Sequence, residues 1–98
     1  MSATKVLDTL RANHAMLRDL GAVQLGLFGS VAGGSEHDGS DVDLLVELDR
    51  RTFDRYMDLK LYLEDLLERP VDLVLADQLK PALREGILAE VRPVFDAA

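Results

Sequence analysis

Residues 23–46, VQLGLFGSVAGGSEHDGSDVDLLV, decide the reading of this chain. Val23, Leu25 and Leu27 alternate with Gln24, Gly26 and Phe28, the period-two pattern of a strand with one buried face. Gly29-Ser30 ends that strand, and residues 33–40 are too rich in Gly and Ser for anything but a loop. A second strand resumes at Asp41 and runs Asp-Val-Asp-Leu-Leu-Val.

In a strand, residues i and i+2 share a face, so Asp41 and Asp43 project together while Val42, Leu44 and Val46 point the other way. Folding alone gives no reason to hold two like charges side by side. A divalent cation does. Hard oxygen ligands suit Mg²⁺, which takes one or two carboxylates and leaves positions for phosphate oxygens. Gly29 and Ser30 fit the same chemistry, because glycine lets a backbone approach a phosphate and amides at such a turn donate to it. Taken alone, an S-D-x-D string is more often turn chemistry than a metal site.

Working outward, 98 residues predict one domain spanning 1–98, and 48% hydrophobic residues suffice for a single core. With no cysteine, disulfides and thiolate metal sites are excluded, which suits a reducing cytoplasm. Lys5, Asp8 and Arg11 interrupt the N-terminal apolar residues, so no signal peptide is expected, and no apolar run reaches membrane-spanning length. The expectation is a soluble, cytoplasmic protein. A net charge of −7 with no basic stripe argues against binding long nucleic acid but not against a metal-neutralised nucleotide.

The remaining segments read as an α/β chain. A helix is expected over 4–20, stopped by Gly21, and a second over 53–67 with Phe53, Tyr56, Leu59 or Lys60, Leu63, Leu66 and Leu67 on its buried stripe and Glu64 on the wet side. Asp49 or Thr52 would cap it. A third strand follows over 71–75. Pro81 opens a last helix through Leu83, Ile87, Leu88 and Val91, and Val94-Phe95 suggests a short edge strand.

The conjunction of strand, Gly-Ser, ten residues, Asp-x-Asp and apolar strand resembles the DNA polymerase beta-like nucleotidyltransferase superfamily. More closely it resembles the minimal nucleotidyltransferases (MNT proteins), antitoxins that pair with HEPN-domain partners. The resemblance covers nearly the whole chain. It implies a mixed sheet of three to four strands flanked by about four helices. It also implies Asp72 as a third acid, completing a triad with Asp41 and Asp43; the other reading of Asp72 is an edge-strand residue facing water. Asp41 and Asp72 open their strands, so they meet only if those strands are adjacent and parallel, with the helix over 53–67 as the crossover.

The activity implied is transfer of AMP from ATP to a hydroxyl, a tyrosine by analogy, of a HEPN ribonuclease toxin. Two Mg²⁺ ions, replaceable by Mn²⁺, would be held by Asp41, Asp43 and Asp72, and the nucleotide by Gly29, Ser30, Ser40, Lys80 and Arg84. The chain departs from the family at Gly33, where minimal nucleotidyltransferases often carry arginine in G-S-x-A-R-G. That departure keeps open a second reading, an antitoxin that inhibits its HEPN partner by binding alone.

Overall fold

The computed structural model describes residues 3–29 and 41–95. Two short helices, α1 (Ala3–Ala12) and α2 (His14–Asp19), precede strand β1 (Ala22–Phe28). Strand β2 (Val42–Leu48), helix α3 (Phe53–Leu67) and strand β3 (Val71–Leu75) follow. A 3₁₀ turn (Ala76–Gln78), helix α4 (Pro81–Glu90) and strand β4 (Arg92–Phe95) complete the order. The sheet runs β3-β2-β1-β4, with β2 parallel to β3 and β1 antiparallel to both of its neighbours. The four-stranded mixed sheet expected from the sequence is present, and so is the parallel β2–β3 pair.

One face of the sheet is the core. Leu25 and Leu27 of β1, Val42, Leu44, Val46 and Leu48 of β2, and Val71 and Leu73 of β3 are buried against Val6, Leu7, Leu10, Leu17, Leu59, Leu63 and Leu67 from the helices. Each such side chain withdrawn from water contributes about 1.5–3 kcal/mol before conformational entropy is subtracted. The pleat sends Gly26, Phe28, Asp43, Leu45, Asp72 and Val74 to the opposite face.

Three sequence expectations are corrected, for the first helix, Val23 and Phe53. The single helix over 4–20 breaks at Asn13, whose φ and ψ (−110°, 21°) leave the helical region. Its side-chain amide donates to the Thr9 carbonyl at 2.8 Å, a local bond that competes with the helical ladder. Val23 is exposed rather than buried, because the register with β2 shifts between Ala22 and Gln24 and Val23 is the extra residue of that bulge. Phe53 begins α3 beyond the sheet and is 76% exposed, so it lies outside the buried stripe. Helix α4 buries none of its residues; Leu83 and Leu88 are 57% and 49% exposed.

Other local expectations hold for stated reasons. Thr52 caps α3, its hydroxyl accepting the Arg55 N–H at 3.2 Å. Gly21 ends α2 at φ +106°, where a Cβ would strike the Arg55 and Asp49 side chains, which are paired at 2.9 Å. Both sheet edges are partly covered. The Tyr56 hydroxyl donates to the Leu73 carbonyl on β3 at 2.6 Å, and the Arg11 guanidinium donates to Pro93 and Val94 carbonyls on β4. Among the described residues no helix is long and apolar enough to cross a membrane.

Gly26 shows how α4 is tied to the sheet. A Cβ there would lie 2.5 Å from a Val91 methyl group, so the bare backbone is what admits Val91 at the end of α4. Gly86, in mid-helix, has open space around it. Gly26→Ala should therefore destabilise by about 1–3 kcal/mol through overpacking. Gly86→Ala should be neutral or stabilise by up to about 1 kcal/mol through helix propensity. Urea denaturation of both variants checks the pair, and equal effects would contradict the packing argument.

Candidate active site

The functional side chains gather at one end of the sheet because β2 and β3 both begin there. Asp43 is directly opposite Asp72 across the parallel pair and opposite Phe28 across the antiparallel one. Neighbouring strands are about 4.8 Å apart, so the two aspartates leave the same face as close neighbours. Asp41 precedes β2 by one residue and is exposed, as is Asp72; Asp43 is half-buried between them and β1. The structure thus sets Asp43 beside Asp72, with Asp41 two residues before Asp43 in the chain.

The start of β3 is held in place by two bonds. The Val42 N–H donates to the Pro70 carbonyl at 2.9 Å, and the Val71 N–H donates to Glu64 Oε2 at 3.0 Å. Lys60 completes the arrangement, its ammonium 3.1 Å from the same Glu64 oxygen. The Val71 amide first, and Lys60 second, hold the Glu64 carboxyl below its usual range. Helical periodicity assigns Glu64 to the wet side of α3. It instead fixes the backbone one position before Asp72.

Gly29 closes the site from the β1 side. It adopts φ +78°, and a Cβ on it would overlap the Asp43 carboxylate, so only glycine lets the turn lie against that group. Its N–H donates to Glu90 Oε1 at 3.3 Å, which brings a fourth carboxylate to the same end. Sequence reasoning missed Glu90. It ends a helix far downstream, and only the pairing of β4 with β1 returns it to Gly29.

Burial, then the charges of Asp72, Asp41 and Glu90, raise the Asp43 carboxyl above its ordinary value. Among the described residues no three carboxylates or histidines converge into a cage for a metal. The donor set nonetheless fits a hard divalent cation. It consists of carboxylate oxygens that repel one another, beside the bare backbone of Gly29. Ser30 and Ser40 lie outside the described residues.

Of the basic residues expected at the nucleotide, Lys80 immediately precedes α4 and Arg84 lies within it. Arg84 lines a cavity of about 350 Å³ with Glu47, Arg51, Ala76 and Asp77, at the ends of β2 and β3 opposite the aspartates. Lys80 opens α4 at that same end, just past the 3₁₀ turn. Asp43 and Glu47 are separated by roughly 13 Å of strand at the usual rise. Arg84 also lines a cavity of about 230 Å³ with Gly26, Leu45 and Leu88, on the face of the sheet that carries Asp43. A cavity of about 480 Å³, lined by Thr52, Phe53, Tyr56, Leu73 and Leu75, likewise includes none of the aspartates.

Comparison with known proteins agrees with this geometry. The family described as polymerase beta nucleotidyltransferase matches residues 17–98. The protein adenylyltransferase MntA of Thermococcus cleftensis is 33% identical over 93 residues, covering 93% of this chain and 94% of its own. A solved structure described as a candidate minimal nucleotidyltransferase superposes with a TM-score of 0.82 at 39% identity, over 95% of this chain and 96% of that one. A chain from the complex of tri-AMPylated Shewanella oneidensis HEPN toxin with MNT antitoxin shares the fold at 19% identity. Its TM-score is 0.65, over 91% of this chain and 71% of that one. The chain belongs to the polymerase beta nucleotidyltransferase family.

The raised Asp43 carboxyl has a definite pH consequence. Unfolded, Asp43 titrates at about 3.9; folded, it holds its proton to higher pH. Raising the pH through that window therefore costs stability, and the cost is fully present above the folded value. In chelator, Asp43→Asn should melt above wild type at about pH 7, with the advantage shrinking towards about pH 4. Thermal melts across that range check it; a variant that melts lower at neutral pH would show the carboxylate to be structural.

Proposed function

We propose that this protein is an antitoxin-type protein adenylyltransferase that moves AMP from ATP to a hydroxyl, a tyrosine by analogy with its relatives, of a HEPN-domain toxin and so neutralises it. The observation that carries this reading is the in-register pair Asp43 and Asp72, with Asp41 on the same face and Gly29 against the Asp43 carboxylate. The relationship to MntA of T. cleftensis supports the chemistry, and the fold shared with the MNT–HEPN complex supports the partner.

Asp41, Asp43 and Asp72 would hold Mg²⁺, which when bound neutralises triphosphate charge and acidifies an acceptor hydroxyl. Gly29, without a side chain, allows the phosphates to approach the β1 turn. Asp72, exposed at the strand entrance, is placed to accept the proton of the attacking hydroxyl. The acceptor oxygen bonds to the α-phosphorus, the bond from that phosphorus to the bridging oxygen breaks, and pyrophosphate leaves. The core and the sheet use most of the described residues, so the acceptor has to be positioned by the partner. Such positioning supplies several orders of magnitude in rate.

The second reading, inhibition by binding alone, is favoured by Gly33 in place of the family arginine, which removes a cation from the turn that would face the phosphates. Intact mass of the HEPN partner after incubation with ATP and Mg²⁺ separates the two. Wild type should add one or more AMP units. Asp43→Asn or chelator should reduce the rate by on the order of a hundredfold or more. No added mass, with inhibition by both proteins, would establish the binding mechanism instead.

A further inference from the structure

Among the described residues, Glu90 is the carboxylate at this end that nucleotidyl transfer does not account for, and its placement is determined by the sheet. In the β1–β4 ladder Gly26 is opposite Pro93 and Leu27 is opposite Arg92. Continuing that register by two residues sets Gly29 opposite Glu90. The chain there is the last residue of α4 rather than a strand, so a side-chain oxygen meets the Gly29 N–H where a further strand would have offered a carbonyl. Val91, packed on the bare backbone of Gly26, anchors the next residue and keeps Glu90 within reach.

Gly29 needs such a partner. It lies just past the last β1–β2 pair, has the conformational freedom of a glycine at φ +78°, and rests on the carboxylate of Asp43. A side-chain oxygen accepts from that amide as a strand carbonyl would, at 3.3 Å. We propose that Glu90 is a positioning residue for the nucleotide site. By extending the β1–β4 register two residues with its side chain, it holds the Gly29 backbone against Asp43 before the triphosphate binds. The nucleotide part of this inference rests on the function proposed above.

The test compares wild type, Glu90→Gln and Glu90→Ala by amide hydrogen exchange at Gly29 without nucleotide, and by ATP affinity with Mg²⁺. The glutamine oxygen can accept the same bond, so Glu90→Gln should keep Gly29 protected and bind ATP like wild type. Glu90→Ala should exchange faster at Gly29 and bind ATP about three- to tenfold more weakly. Equal exchange in all three proteins overturns the brace. So does a glutamine variant as weak in ATP binding as alanine, which would make charge the active feature. Tighter ATP binding by Glu90→Ala also overturns it, since the carboxylate would then be occupying the phosphate's place. Exchange at Gly29 decides the brace even where wild type binds no ATP, a result that counts against nucleotidyl transfer alone.

Discussion

Strand β2 has to satisfy two opposite demands, and most of the structure follows from how it does so. Its even-numbered residues Val42, Leu44, Val46 and Leu48 are driven into the core, while Asp43 is carried on the other face by the same pleat. Parallel pairing with β3 then sets Asp72 beside Asp43 with no freedom to separate. The repulsion this creates is on the order of a few kcal/mol at an intermediate effective dielectric, before solvent reduces it. Apolar burial on the far side of the sheet is large enough to hold the arrangement.

The supports around that pair come from every part of the fold. Helix α3 supplies both the parallel crossover and Glu64, which fixes the Val71 amide. Strand β1 delivers Gly29 to the Asp43 carboxylate, and β4 returns Glu90 to Gly29. Helix α4, which buries nothing, runs across the site face from the distant 3₁₀ turn to Glu90. Its exposed Leu83 and Leu88 contribute little to the core. A site assembled from strand entrances is rigid where the strands are paired and depends on single side-chain bonds where pairing ends.

This division also accounts for the location of unfavourable charge. Asp49 is held below its usual pKa range, first by its hydrogen bond to Arg55, and Glu64 by the Val71 amide and Lys60. Among the described residues Asp43 alone of the carboxylates with a resolved shift is pushed upwards. Asp49 and Glu64 thus serve the fold, and Asp43, between β1 and β3, is a cost to it.

The sequence by itself determined the strands at 23–28 and 42–46, the Asp41/Asp43 pair, the crossover helix and the edge strand. Each is written in local periodicity, in turn residues or in the length a parallel connection requires. Asp72 was legible because an acid in an aliphatic strand contradicts local preference. What local patterns could not carry were the facts that depend on which strand lies beside which. The bulge at Val23, the bond between Glu64 and Val71 and the return of Glu90 to Gly29 follow from register. Periodicity gives the face a residue occupies, but the end of the sheet it reaches is decided by pairing and chain direction, which only the assembled structure sets.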